Sequence, residues 1–192
     1  MNDRRYPEAA VDRFEPPPIA FADREGREVE IRAYDGTEET DEALVSMYTA
    51  FDPSDRAQGI PPGGEKRVRE WLEAILTDDC LNVVAWCDGE VAGHATLVPD
   101  DDAYELAIFV HQTYQEAGIG TRLISGLLGH GQAEGVEKVW LTVERWNRAA
   151  VSLYEKIGFE TSNAESFELE MALRLNESAD GESSDGESDD RE

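Results

Sequence analysis

Six residues, Gln115-Glu116-Ala117-Gly118-Ile119-Gly120, carry the clearest chemistry in this 192-residue chain. They follow an apolar run, Tyr104 to Val110, that reads as a strand. They open a segment in which Ile119, Leu123, Ile124, Leu127 and Leu128 fall on one helical face. A strand, a glycine-bearing turn and a helix N-terminus together make a seat for phosphate oxygens. First-turn N–H groups lack an intrahelical partner, and the helix dipole adds positive potential there. Gly118 and Gly120 have no Cβ, so a ligand can approach the backbone closely. The same residues also fit an ordinary strand-to-helix connection. No Lys-Ser/Thr pair follows the second glycine, which excludes a P-loop, and the three-glycine dinucleotide spacing is missing.

A second run, Asn147 to Phe159, stands further along the chain. Asn147 can cap the helix that follows, because its side-chain oxygen can take orphan amides of the first turn. Gly158 stands where that helix would stop. Taken alone, the run is explained by a capped amphipathic helix with Tyr154 on its partly buried face. Glu105 sits in the strand before the glycine turn and faces opposite to Leu106, Ile108 and Val110. A lone glutamate between apolar residues is either a solvated edge charge or a desolvated base.

The elements around these runs point to one α+β domain over residues 29–175. Val29 to Tyr34 alternates as a first strand. Leu44, Met47, Tyr48 and Phe51 recur at helical spacing, as do Val68, Trp71, Leu72, Ile75 and Leu76. Residues 58–64, rich in glycine and proline, read as loop. Leu81–Cys87 and Val91–Val98 are strands joined at Asp88-Gly89, a hairpin signal. A strand over 103–110, a helix over 118–133, a strand over 136–143 and a helix over 148–156 follow. Residues 157–161 and 165–173 close the pattern as strands. This order predicts a mixed, mainly antiparallel central sheet flanked by helices.

Before it, residues 1–28 are charged, contain Pro16-Pro17-Pro18 and read as an extended or loosely docked lead-in. After it, residues 176–192 hold eight acids, one arginine and no large apolar side chain, so a disordered acidic tail is expected.

Two runs in this order and context, Q-x-x-G-x-G after a strand and N-x-x-A-x-x-L-Y-x-K-x-G-F after the next, resemble the signatures of the GNAT N-acetyltransferase superfamily. The resemblance spans residues 29–173 and implies the acyl-CoA N-acyltransferase fold. It implies acetyl-CoA as co-substrate, no metal, and an amine acceptor attacking directly in a ternary complex. In such enzymes the strand before the loop splays from its neighbour, usually at a β-bulge, and pantetheine lies in the gap. Here that backbone would be Ile108, Phe109 and Val110. Amides of Gln115, Glu116, Ala117, Gly118, Ile119, Gly120 and Thr121 would hold the pyrophosphate. Asn147 would hydrogen-bond pantetheine, Glu105 would act as base, directly or through water, and Tyr154 would protonate the departing thiolate. A backbone N–H near Val110 would steady the oxyanion. One departure is Gln112, where many family loops carry proline, at the expense of some stiffness. The resemblance leaves a homodimer open.

Composition restricts the partners. The formal charge of −26 comes from 43 acidic and 17 basic residues, and such a surface repels nucleic acid and anionic membranes. Only Lys66, Lys138 and Lys156 are lysines; the other basic residues are arginines. This balance resembles proteins of salt-accumulating halophiles, where a Debye length of roughly 3 Å at molar salt blunts self-repulsion. An acidic mesophilic protein is the alternative. Cys80 and Cys87 fit no metal spacing and read as reduced thiols, which with the absence of a signal-like N-terminus suggests a cytoplasmic protein.

Three questions stay open at this level. His94 is read as a hydrogen-bonded core histidine or an acceptor-site base. The four tryptophans, Trp71, Trp86, Trp140 and Trp146, are expected to pack the core. The acceptor, set by the loop from Asp52 to Pro62 and by the final hairpin, is a protein lysine or a small-molecule amine. A different function, acyl-CoA binding without catalysis by a sensor or interaction module, is also compatible.

Overall fold

The structure, a computed structural model, describes residues 4–56, 60–164 and 167–176. The strands are β1 (Ile19–Ala22), β2 (Glu28–Ala33), β3 (Leu81–Cys87), β4 (Glu90–Asp100), β5 (Ala103–Val110), β6 (Lys138–Glu144), β7 (Glu160–Ala164) and β8 (Glu168–Arg174). The α-helices are α1 (Glu38–Thr49), α2 (Glu65–Ile75), α3 (Ile119–Ala133) and α4 (Arg148–Ile157). One sheet takes the order β1-β2-β3-β4-β5-β6-β8-β7, and every neighbouring pair is antiparallel except β5–β6. This is the expected mixed, mainly antiparallel sheet.

Strand alternation splits the apolar residues between two faces. On one face α3 and α4 cover Val83, Leu97, Leu106, Val139, Leu141 and Met171. On the other, α1 and α2 bring Leu44, Tyr48, Val68 and Leu72 against Val84, Val91 and Phe109. The β3–β4 hairpin turns at Asp88 (φ 50°) and Gly89 (φ 82°), two left-handed residues whose twist suits adjoining strands. Helix α1 starts at Thr37, whose hydroxyl accepts from Thr40 N, and carries Glu38, Glu39 and Asp41 at its positive end.

The expected lead-in contributes to the fold. Residues 19–22 form β1 and pair with β2 from Ile19↔Ile31 to Ala22↔Glu28. Four residues between Pro18 and Asp23 are too few to display a period, so the strand escaped the sequence reading. Upstream, Val11 N donates to Arg174 O (2.8 Å) and Phe14 N to Gln132 Oε1 (2.8 Å). Gly129 of α3 permits this docking: a Cβ there would lie 2.5 Å from Glu15 O. The closing strands begin later than expected, because Ile157 and Gly158 complete and cap α4. Trp146 is not a core residue: it is 63 % exposed, in the turn after β6, where the strand has ended and no layer covers it. The acidic tail after Asn176 lies outside the described residues.

Candidate active site

The parallel ladder between β5 and β6 is short. It holds only Tyr104↔Val139 and Glu105↔Trp140, while β5 runs on to Val110 and β6 to Glu144. Beyond Glu105 the strands diverge into a fork. The fork does not come from a bulge: the β4–β5 register is continuous from Gly93↔Val110 to Asp100↔Ala103. His111 N donates to Ala92 O at 2.9 Å, and antiparallel pairs alternate between bonded and unbonded. Phe109 therefore turns its backbone to β4 and its ring into the aromatic cluster with Tyr48 and Trp71. Ile108 and Val110 turn their backbone groups into the fork. Of the three residues expected to line a ligand by their backbone, Ile108 and Val110 face the fork and Phe109 faces β4.

Above the fork lies the glycine turn. Glu116 (φ 59°) and Gly118 (φ 87°) are both left-handed, the kind of backbone reversal from which anion-binding turns are built. The Glu116 conformation costs a non-glycine residue about 1–2 kcal/mol. Gly118 caps α3 without any side-chain hydrogen bond, so no side chain of the cap competes for the first-turn amides. Gln115, Glu116 and Thr121 are exposed, Ala117 and Ile119 buried, and Gly118 and Gly120 between. A Cβ on Gly120 would meet Leu153, Val110 and Ile108 at ordinary contact distances of 3.7, 3.7 and 4.0 Å. Helix α4 thus closes over the end of β5.

The turn is tied down by side chains that local sequence does not reveal. Gln115 Nε2 donates to Val110 O (3.1 Å) and to Asp55 Oδ2 (2.9 Å). Arg24, from the β1–β2 turn, donates through N to Ala117 O (3.0 Å) and through Nη1 to Glu116 O (3.2 Å). Gln112 does not loosen the loop as its departure from proline suggested. Its Nε2 donates to Ala50 O (2.8 Å) and its Oε1 accepts from Asp52 N (3.1 Å), which clamps the turn to the end of α1.

On the β6 side, Asn147 caps α4, its Oδ1 accepting from Ala150 N at 3.2 Å. Tyr154 is buried, its ring 5.8 Å from that of Phe159, and burial pushes its phenol up to about 12. At the base of the fork, Glu105 is half-buried. Burial, reinforced by the charge of Asp100 and opposed by Arg4, raises its carboxyl above the ordinary glutamate range. His94 is fully buried. Asn82 Nδ2 donates to Ile75 O (2.8 Å), so Asn82 Oδ1 accepts from His94 Nε2 (2.9 Å). His94 Nδ1 then accepts from Tyr48 O–H (2.6 Å). Desolvation lowers its pKa to about 3, which makes it a neutral core residue at any working pH. Among the described residues no three His, Cys, Asp or Glu side chains group as metal ligands.

Residues 42–159 match the family described as the Acetyltransferase (GNAT) family. The chain belongs to this family. Against the [Ribosomal protein bS18]-alanine N-acetyltransferase of Escherichia coli strain K12, this GNAT acetyltransferase is 38 % identical over 120 residues, 60 % of its own length and 75 % of the relative's. Its fold matches the GNAT domain of S. lividans PAT with a TM-score of 0.70, at 16 % identity over 82 % of this chain and 96 % of that one. It also matches yncA of Salmonella typhimurium, a structure with its cofactor acetyl-CoA, with a TM-score of 0.59 and 23 % identity, over 79 % and 96 % of the two chains. The GNAT acetyltransferases catalyse acetyl-CoA-dependent N-acetylation.

Proposed function

We propose that this acetyltransferase holds acetyl-CoA in the β5–β6 fork and passes the acetyl group to a primary amine that approaches Glu105. The carrying observation is the fork itself, which opens one residue past Glu105 and leads up to the left-handed turn at Glu116 and Gly118. Amides from Gln115 to Thr121 take the pyrophosphate, the fork-facing groups of Ile108 and Val110 take the pantetheine arm, and Asn147 Nδ2, left over from its capping bond, adds a donor.

The proton chemistry follows from burial. An alkyl ammonium with a pKa near 10.4 must lose a proton before it can attack. Glu105, its carboxyl raised by desolvation, accepts that proton directly or through water. The amine nitrogen then bonds to the thioester carbon, and the N–H of Val110 or Ile108 steadies the oxyanion. Collapse breaks the carbon–sulfur bond. Tyr154, near 12, stays protonated throughout. A thiol titrates near 8.5, so complete proton transfer from this phenol is unfavourable by roughly three powers of ten. Tyr154 therefore serves the departing thiolate as a hydrogen-bond donor; the second proton of the attacking nitrogen passes to solvent, and solvent protonates the thiolate.

The acceptor is an amine of a small molecule or of a protein; the bS18-alanine relative favours testing peptide α-amines beside lysines and diamines. We read the excess of acid over base as adaptation to concentrated salt in a cytoplasm. The experiment is thiol release from acetyl-CoA against a panel of such amines in molar salt. Release with at least one amine supports the enzyme. Tight acetyl-CoA binding without release for any amine supports a non-catalytic acyl-CoA sensor instead.

A further inference from the structure

The sheet face that carries Glu105 also carries a cation. Val98, Glu105, Trp140 and Ala172 are register partners across β4, β5, β6 and β8, so their side chains share one face. Asp100 and Glu170, each two residues along its strand, share it as well. Arg4, the first described residue, lays its guanidinium there. Its Cζ stands 3.6 Å from the centroid of the Trp140 ring. Its Nη1 donates to Asp100 Oδ2 at 3.2 Å, and its Nε lies 3.2 Å from Glu170 Oε2. Only 6 % of the side chain is exposed. An aromatic floor between two carboxylates is a box for a cation.

The box lies on the way to the fork. The opposite face of the sheet is covered by α3 and α4, so an amine that reaches Glu105 without crossing them must come over the face that holds the box. Helices α1 and α2 shield that face over β3, β4 and the Phe109 end of β5, and their apolar cluster does not take in Trp140 of β6. Trp140 is the direct neighbour of Glu105 in the last rung of the parallel ladder. A cation over Trp140 therefore lies beside the base, in the path of the acceptor.

We propose that Arg4 is a built-in stand-in for part of the acceptor. The Trp140–Asp100–Glu170 box takes a second cationic group, guanidinium or ammonium, carried by the acceptor beyond its reacting amine. The N-terminal segment competes for the same box, so an acceptor whose second cation must displace Arg4 binds more weakly, while an amine without one does not meet that competition. This rests on the reading of Glu105 as the acceptor's base.

The test compares the full-length chain with Arg4→Ala, using 4-guanidinobutylamine and n-butylamine, which share an amine on a four-carbon arm and differ in the second cation. Arg4→Ala is expected to lower the KM for 4-guanidinobutylamine roughly three- to thirtyfold, the range of a desolvated cation–π contact. The KM values for n-butylamine and acetyl-CoA stay within about twofold, a change too small for such a contact. Adding Trp140→Leu to Arg4→Ala removes the gain. An unchanged or higher KM for 4-guanidinobutylamine overturns the proposal, and so does an equal gain for n-butylamine. Arg4→Gln, which keeps the start of the aliphatic stem and removes the cation, replaces Arg4→Ala if the latter melts early. If no variant releases thiol with any amine, the reading of Glu105 fails separately. Calorimetric binding of 4-guanidinobutylamine to the acetyl-CoA-loaded chain then decides: tighter binding in Arg4→Ala supports the box, equal binding overturns it.

Discussion

Glu105 and Trp140 face each other in the last rung of the parallel β5–β6 ladder, and past them the two strands separate. The rung does two things at once. It ends the hydrogen-bonded sheet, which frees the backbone of Ile108 and Val110 for a ligand. It also half-buries a carboxylate at the point where that ligand's reactive end would arrive. The Glu105 position is therefore set by sheet topology, and its raised pKa by what the topology buries.

Tyr154 is expected to act through its hydroxyl alone. Hydrogen bonds to charged groups contribute about 1.5–3 kcal/mol, so Tyr154→Phe should lower kcat roughly ten- to hundredfold. The ring still packs against Phe159, and acetyl-CoA affinity, measured by calorimetry, should be nearly unchanged. A wild-type kcat in the variant removes Tyr154 from the reaction.

Gly118 shapes the turn proposed for the pyrophosphate through its left-handed backbone. Gly118→Ala meets only Arg24 at ordinary distance (3.7 Å), so the change acts on conformation and not on packing. A cost of about 1–2 kcal/mol corresponds to a KM for acetyl-CoA raised roughly five- to thirtyfold, with kcat little affected. Steady-state kinetics against acetyl-CoA would reveal an equal loss in kcat if the turn positioned the reacting carbon instead.

The fold and the site were unevenly legible in the sequence. The glycine turn, the Asn147 cap and the Asp88-Gly89 hairpin were readable because their chemistry is local: a backbone conformation or a first-turn amide needs specific residues within a few positions. The clamp by Gln112 onto Ala50 and Asp52, the support of Ala117 by Arg24 and the seat of Arg4 on Trp140 were not. Each joins residues far apart in the chain, and no period or spacing announces such a contact. Trp146 was misjudged because aromatic character alone does not say whether a turn has a layer above it. The separation of β5 from β6 was announced only by the family resemblance, because an apolar strand by itself looks the same whether or not its neighbour stays beside it.

His94 makes stability depend on acidity. Its pKa falls from 6.5 in the unfolded chain to about 3 in the folded one, so below pH 6.5 the unfolded state binds the extra proton. The contribution is complete above pH 6.5 and is lost as pH falls toward 3, at about 1.4 kcal/mol per pH unit. Urea denaturation between pH 7 and 4.5 should give a steeper loss for the wild type than for His94→Gln. His130, whose pKa is also lowered by burial, affects both chains alike. Parallel curves would mean that His94 is not the group responsible.

With a net charge of −26, the folded chain repels itself at low ionic strength. Potassium chloride raised from 0.1 to 2 M should increase the melting temperature by about 5 °C or more, and activity should rise with it. A melting temperature independent of salt would favour an acidic protein of ordinary surroundings.

The pH dependence of kcat/KM for wild type and Glu105→Gln tests the central claim most directly. In the wild type, thiol release from acetyl-CoA should rise with pH through the raised pKa of Glu105, as the carboxylate becomes free to take the amine's proton. Glu105→Gln should lose that ascending limb and fall roughly hundredfold or more in kcat/KM, while acetyl-CoA binding persists. An identical profile with undiminished rate in the variant would contradict the assignment of the fork's base as the site of proton removal.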